Sequence, residues 1–285
     1  MLIYINGFWP GFTEKTDGVH WGFFEYILER VFECKITPCS SSEAADILLE
    51  SYFGSSVFAA KPWKYSIFFS GEAHQLPPHP YTFCMGARDS GSNFISCPLY
   101  LAYDYCRPFT YPTHITQVPS KGVCSIISSE IPGSYRYTLL TLLAEKGIHI
   151  DNAGRYKNNL GYTIPGSYSD PPILDFQKRY RLVLAFENAE LDDYITEKIL
   201  NPFRAGTIPV YFGSKQVSNY FNPKRFIQVT SIEETVGKIQ SLLLNDPLWL
   251  DIVNEPIFIK STAEILETII QKMKKNENLC GRSNL

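Results

Sequence analysis

The segment AFENAELDDYITEKILNPFRAGTIPVYFGS, residues 185–214, gathers the polar side chains best placed to do chemistry. A buried-strand pattern there gives way to an acidic loop, and the loop to a helical stretch opening at Thr196. With Thr196 as N-cap, Glu197 and Lys198 fall in the first turn, where free backbone N–H groups and the positive end of the helix dipole attract an anion. A diphosphate suits that place. Lys198 could neutralise phosphate charge, Glu197 could accept hydrogen bonds from vicinal sugar hydroxyls, and Tyr194 could close over a base or ribose. A plainer reading stays open, in which Thr196 only caps the helix, Glu197 complements its dipole and Lys198 is solvated. Asn188 and Tyr194 weigh toward a site, because α/β folds present phosphates at a strand end followed by a helix N-terminus.

Such a strand end needs a sheet behind it. Apolar runs at 2–5, 46–49 and 65–69 predict short strands, and the spacing of Phe23, Tyr26, Ile27 and Phe32 predicts a helix within 18–32. RPFTYPTHITQVPSK, residues 107–121, carries prolines at 108, 112 and 119 that break both helix and central strand. It reads as a linker between a domain at 1–118 and a domain at 119–285. Strands are then expected at 123–127, 148–150, 182–186, 208–212 and 226–229, and helices at 135–146, 196–203 and along Ile232, Val236, Ile239 and Leu243. A last helix with Ile265, Leu266, Ile269, Ile270 and Met273 on one side runs into a polar tail expected to fray. Alternating strands and helices imply parallel sheets, so the expected fold is α/β with two Rossmann-like domains whose sheets face a central cleft.

Composition removes several classes. At 45% hydrophobic, 14% aromatic and 19% charged, the chain of 285 residues is not disordered, and a net charge of −3 gives no overall field for nucleic acid or an anionic membrane. No apolar run approaches the ~18 residues that a bilayer crossing requires, and the start lacks a basic signal-peptide region. The seven cysteines, at 34, 39, 84, 97, 106, 124 and 280, form no C-x-x-C pair, and there is no N-x-S/T sequon. Together these favour reduced thiols and a cytoplasmic setting. There is no dinucleotide-binding glycine motif or P-loop, and His74 and His79 lack a clear third metal ligand.

FEN, a short spacer, DYITEK and AGTIPVYFG together resemble the donor-binding motif of the α-1,3/1,4-fucosyltransferases, glycosyltransferase family 10. The resemblance implies a GT-B architecture, GDP-fucose as donor, and inverting transfer to a glycan hydroxyl in α-1,3 or α-1,4 linkage, such as GlcNAc of an N-acetyllactosamine-like unit. It implies that Asn188, Tyr194, Glu197 and Lys198 contact the donor, with Lys198 on the diphosphate and Glu197 near ribose or fucose. KNNLGY at 157–162 is similar to a bacterial segment that begins with a phosphate-binding arginine, here Lys157. Lysine keeps the charge but loses the bidentate fork, so Arg136, Arg155 or both could supply the planar contact, Arg136 being the better substitute because animal-type members carry an arginine in a similar helix.

FFSGEAH, residues 68–74, matches the Gly-Glu at a strand end of bacterial members and so implies Glu72 as the general base that takes the acceptor proton. One base suffices, since the diphosphate leaving group needs charge neutralisation more than protonation. The resemblance further implies an acceptor-binding N-terminal domain, where His20, Trp9 and Trp21 sit in or beside the first loop, and a GDP-fucose-binding C-terminal domain whose final helix can pack back on the first. No resident cofactor or metal is expected, a divalent cation being at most stimulatory. Without the membrane anchor of Golgi members or the heptad tail of some bacterial ones, the chain reads as a minimal catalytic core. Two alternatives stand beside it: a GT-B enzyme using another nucleotide sugar, and a catalytically silent glycan- or nucleotide-sugar-binding protein.

Overall fold

Runs such as ILLE and YSIFFS are buried at every position, which only a sheet covered on both faces permits. The computed structural model describes residues 1–16, 18–74, 76–87, 93–128, 134–166 and 170–276, so Cys280 and most of the tail lie outside the described residues. The chain divides into two compact units.

The first unit comprises Met1–Pro108, Leu191–Tyr194 and Ser261–Leu285. Its strands are β1 (Leu2–Asn6), β2 (Thr37–Cys39), β3 (Ile47–Glu50), β4 (Tyr65–Ser70), β5 (Phe83–Gly86) and β6 (Phe94–Ser96), in the order β2-β1-β3-β4-β5-β6. Every pairing is parallel. Helix α1 (Trp21–Phe32) and helix α2 (Leu99–Cys106) belong to this unit, and their buried faces include Phe23, Phe24, Ile27 and Leu101.

The second unit comprises Phe109–Glu190 and Ile195–Lys260. Helices α3 (Tyr135–Glu145), α4 (Pro171–Gln177), α5 (Glu197–Arg204), α6 (Ile232–Leu244) and α7 (Asp246–Val253) accompany strands β7 (Lys121–Ser125), β8 (Ile150–Asn152), β9 (Tyr180–Phe186), β10 (Ile208–Phe212) and β11 (Ile227–Gln228). The sheet order is β11-β10-β9-β7-β8, again all parallel. Alternation along β9 divides the core: Leu182, Leu184 and Phe186 pack with Leu139 and Leu143 of α3 and Ile239 of α6, while Val183 packs with Phe176 and Tyr180.

The boundary expected at 118 lies at 108. Residues 109–118 belong to the second unit, where Asn254 exchanges hydrogen bonds of 2.8 and 2.9 Å with the backbone of Ile115. The final helix, α8 (Thr262–Lys274), belongs to the first unit and packs on α1, and Lys274 meets Glu33 at 2.7 Å. The expected strand at 148–150 forms two residues later, and β2, β5, β6, α2, α4 and α7 add to the elements the sequence suggests. Among the described residues no helix is long and apolar enough to cross a membrane.

Candidate functional site

Strand β9 ends at Phe186 and leads through buried Glu187 to Asn188, which lines a cavity of about 590 Å³ formed by residues of the second unit. Thr196 is the N-cap of α5, as its residue type suggests: its backbone is extended and its hydroxyl accepts from Lys198 N. The same hydroxyl is shared. Lys198 Nζ donates to Thr196 Oγ1 at 3.1 Å, while Thr196 Oγ1 and N donate to Glu187 at 2.9 and 2.7 Å. Glu187 is fully buried, and Lys198 Nζ stands 3.4 Å from its carboxylate and 3.6 Å from that of Glu197. Burial, the largest influence, holds the Glu187 carboxyl above its ordinary range, and the nearby Lys198 ammonium pulls it partway back.

A second cation stands at the same cavity. Arg136, in the first turn of α3 and buried, donates from Nη1 to Asn188 Oδ1 at 2.6 Å and from Nη2 to the Tyr137 hydroxyl at 3.1 Å. Ser134, the N-cap residue of α3, donates to the Asn188 carbonyl at 3.1 Å, so the strand end and the helix start are tied together. Arg136, Asn188, Glu197 and Lys198 all line the cavity, and Arg155, Gln177 and Asn201 line it with them. Three cationic side chains and a capped helix start at one cavity make a site for a doubly charged anion such as a diphosphate.

One of the expected donor contacts, Lys157, is not among the residues that line this cavity. Lys157 sits at φ 47° in a turn that carries its ammonium to Thr141 Oγ1, 2.9 Å away on α3, beside a separate surface cavity of about 620 Å³. Arg155, two residues earlier, lines the cavity instead. Tyr194 is buried and belongs with Leu191–Tyr194 to the first unit, where its neighbour Asp193 accepts a short hydrogen bond from Ser96.

Within the first unit Glu72 follows β4 in a half-buried turn, its backbone carbonyl accepting from Ser70 Oγ at 2.9 Å. The Tyr52 hydroxyl donates to Ser70 Oγ and to the His74 carbonyl, both at 3.3 Å, bracing that turn. His79 stacks on Phe58 with ring centroids 4.9 Å apart. His20 plays a structural part, its Nδ1 capping α1 by accepting from Gly22 N at 3.1 Å, and burial, then Lys15, lowers its pKa. Trp21 is core, and half-buried Trp9 donates to the Val19 carbonyl at 3.0 Å. Among the described residues no cluster of three His, Cys, Asp or Glu could hold a metal ion, and the six described cysteines are free.

Residues missed by sequence reasoning are Glu187, Asn201 and Gln177. An acidic residue abutting the apolar run 182–186 was a signal for Glu187; a buried carboxamide at a helix end gives none.

The chain is similar to known glycosyltransferases. A family model described as the C-terminal part of glycosyltransferase family 10 (fucosyltransferase) matches residues 117–248. An α-(1,3)-fucosyltransferase of Helicobacter pylori is 27% identical over 161 residues, covering 50% of this chain and 32% of that protein. GDP-fucose protein O-fucosyltransferase 3 of Danio rerio is 30% identical over 148 residues, covering 50% of this chain and 31% of that protein. The chain thus spans about a third of the length of these relatives. The crystal structure of an α1,3-fucosyltransferase with GDP-fucose superposes with a TM-score of 0.70 at 19% identity, over 97% of this chain and 90% of that one, a likeness of fold that identifies the GT-B class.

Proposed function

We propose that this chain, whose residues 117–248 match the glycosyltransferase family 10 (fucosyltransferase) model, is a member of that family that binds GDP-fucose at the second unit's cavity and transfers fucose with inversion to a glycan hydroxyl. One observation carries the reading: Lys198, Arg136 and the capped start of α5 converge on a single cavity that can hold a diphosphate. In the reaction the acceptor oxygen forms a bond to the anomeric carbon as the bond from that carbon to the β-phosphate oxygen breaks. The electron pair departs with GDP, whose new charge Lys198, Arg136 and Arg155 receive, and the acceptor proton passes to Glu72. A single displacement inverts the anomeric centre. These three cations supply charge that a divalent ion otherwise would, so turnover is expected to persist in EDTA.

The linkage is proposed as α-1,3 or α-1,4 on an N-acetyllactosamine-like acceptor, and the setting as cytoplasmic, supported by the six free cysteines. Arg155 on the cavity wall supports an enzyme over a silent binder, because it offers the planar charge that Lys157 lacks. An acceptor screen with labelled GDP-fucose tests enzyme class and acceptor together, and calorimetry with GDP-, UDP- and ADP-sugars tests the donor. Glu72→Gln is expected to bind GDP-fucose normally and lose transfer; unchanged turnover would remove Glu72 as the base.

A further inference from the structure

We infer that Gln177 determines donor specificity, its carboxamide oxygen accepting hydrogen bonds from the N1–H and 2-amino edge of a guanine ring; this rests on reading the cavity as a GDP-sugar site. Gln177 is the last residue of α4 and only 5% exposed. Its Oε1 is buried and has no hydrogen-bond partner, although its side chain stands on the cavity wall. Buried carboxamide oxygens are nearly always satisfied, because a stranded acceptor forfeits its hydration with nothing in return. Such an atom at a cavity is an acceptor kept for a ligand.

The surroundings state what kind of ligand. Ile173, one turn earlier on the same face of α4, lines the cavity beside Gln177. Val183 and Ala185, from the β9 face opposite the Leu184 core, and Ile164 complete an apolar stretch of wall. Helix α4 packs against α5, whose lining residues run from Lys198 in the first turn to Asn201 in the next. Cations at the start of α5 suit phosphates, while an apolar wall with an isolated acceptor suits a flat heteroaromatic ring presenting N–H donors. Guanine presents two adjacent donors on one edge. Hypoxanthine keeps N1–H but lacks the 2-amino group, and adenine presents only its 6-amino group there.

Calorimetric titration of GDP, IDP and ADP into the wild-type protein, Gln177→Leu and Gln177→Met tests this. The wild type is expected to prefer GDP to IDP, and both variants to lose about tenfold or more in GDP affinity and to bind GDP and IDP alike. The GDP-to-IDP ratio is unmoved by a mere loss of folded protein, and the methionine variant preserves side-chain length should leucine disturb α4. Equal wild-type affinity for GDP and IDP, or an unchanged ratio in a folded variant, would overturn the role of Gln177. A wild-type protein that binds no GDP would overturn the reading of the cavity instead.

Discussion

Glu50 and Glu187 are both buried carboxylates at the C-terminal end of a parallel strand, one in each unit, and their partners differ in kind. Glu50 accepts from Asn6 Nδ2 and Val57 N at 2.7 Å and from Ser56 Oγ at 2.8 Å, and also from the Tyr81 hydroxyl. No cation is among those donors. Burial, then Glu50 itself, pushes the Tyr81 phenol far up, so it remains a donor. Glu187 has the Thr196 hydroxyl and amide and the Lys198 ammonium. A carboxylate saturated by neutral donors fixes loops in place, whereas one balanced by a cation that also faces a cavity leaves that cation available to an anionic ligand.

Removing the cation should give the largest effect. Lys198→Ala leaves Glu187 as an uncompensated buried charge, costing about 3–5 kcal/mol of stability, and removes a charge-assisted contact worth roughly 1.5–3 kcal/mol, or about 10- to 100-fold in GDP affinity. Denaturant titration and calorimetry measure the two losses. The stability loss also carries a pH signature. Burial raises the folded-state pKa of Glu187 above 4.5, so protonation favours the folded chain; the deficit is greatest above the folded pKa and shrinks as pH falls toward 4.5. A deficit independent of pH would break the assignment of Glu187 as the counter-charge.

Glu50→Ala is expected to cost stability without touching the ligand. Stranding donors from Asn6, Ser56, Val57 and Tyr81 should cost about 3 kcal/mol, since each buried unsatisfied group costs roughly 1–3 kcal/mol and some will reach water. GDP affinity, measured below the new melting temperature, should stay within about twofold. A large loss of affinity would erase the distinction between the two carboxylates.

Gly213→Ala sharpens it from the backbone side. A Cβ at Gly213 would fall 2.6 Å from Glu187 Cγ and 2.6 Å from the Tyr211 hydroxyl, closer than side chains tolerate. Glu187 must shift, and Thr196 and Lys198 with it, at a cost of about 1–3 kcal/mol typical of overpacking. GDP affinity is expected to fall several-fold by calorimetry. An equivalent clash elsewhere in the sheet should lower stability alone.

What could be read in advance follows the same division. The start of α5 was legible because capping is local: Thr196, Glu197 and Lys198 carry their roles in their types and spacing. Strands 182–186 and 208–212 were legible as apolar runs long enough to be buried. By contrast β5 and β6 are four and three residues long, too short for periodicity to register. Helix α4 begins with Pro171 and Pro172, a pair that hides a helix start from periodicity although proline fits the first helical turn. Partners distant in sequence were invisible: the Arg136–Asn188 bond spans 52 positions, and whether Gln177 is satisfied depends on the packing of its surroundings.

The smallest effect expected is at Lys157, one of three cations, with Arg136 and Arg155, that the sequence left open as the phosphate contact. KNNLGY put a lysine where a phosphate-binding arginine was expected, but charge conservation along a turn does not fix direction. The positive φ of Lys157 takes its ammonium to Thr141, while Arg155 lines the cavity and offers the planar fork that lysine lacks. Arg155→Ala should therefore weaken GDP binding about 3- to 10-fold, because this arginine is exposed and its contact is partly screened by solvent. Lys157→Ala should change GDP affinity by less than about twofold and lose only an exposed hydrogen bond to α3. If the two variants exchange these outcomes, the turn closes differently around a bound nucleotide, and the lysine is the contact the motif first suggested.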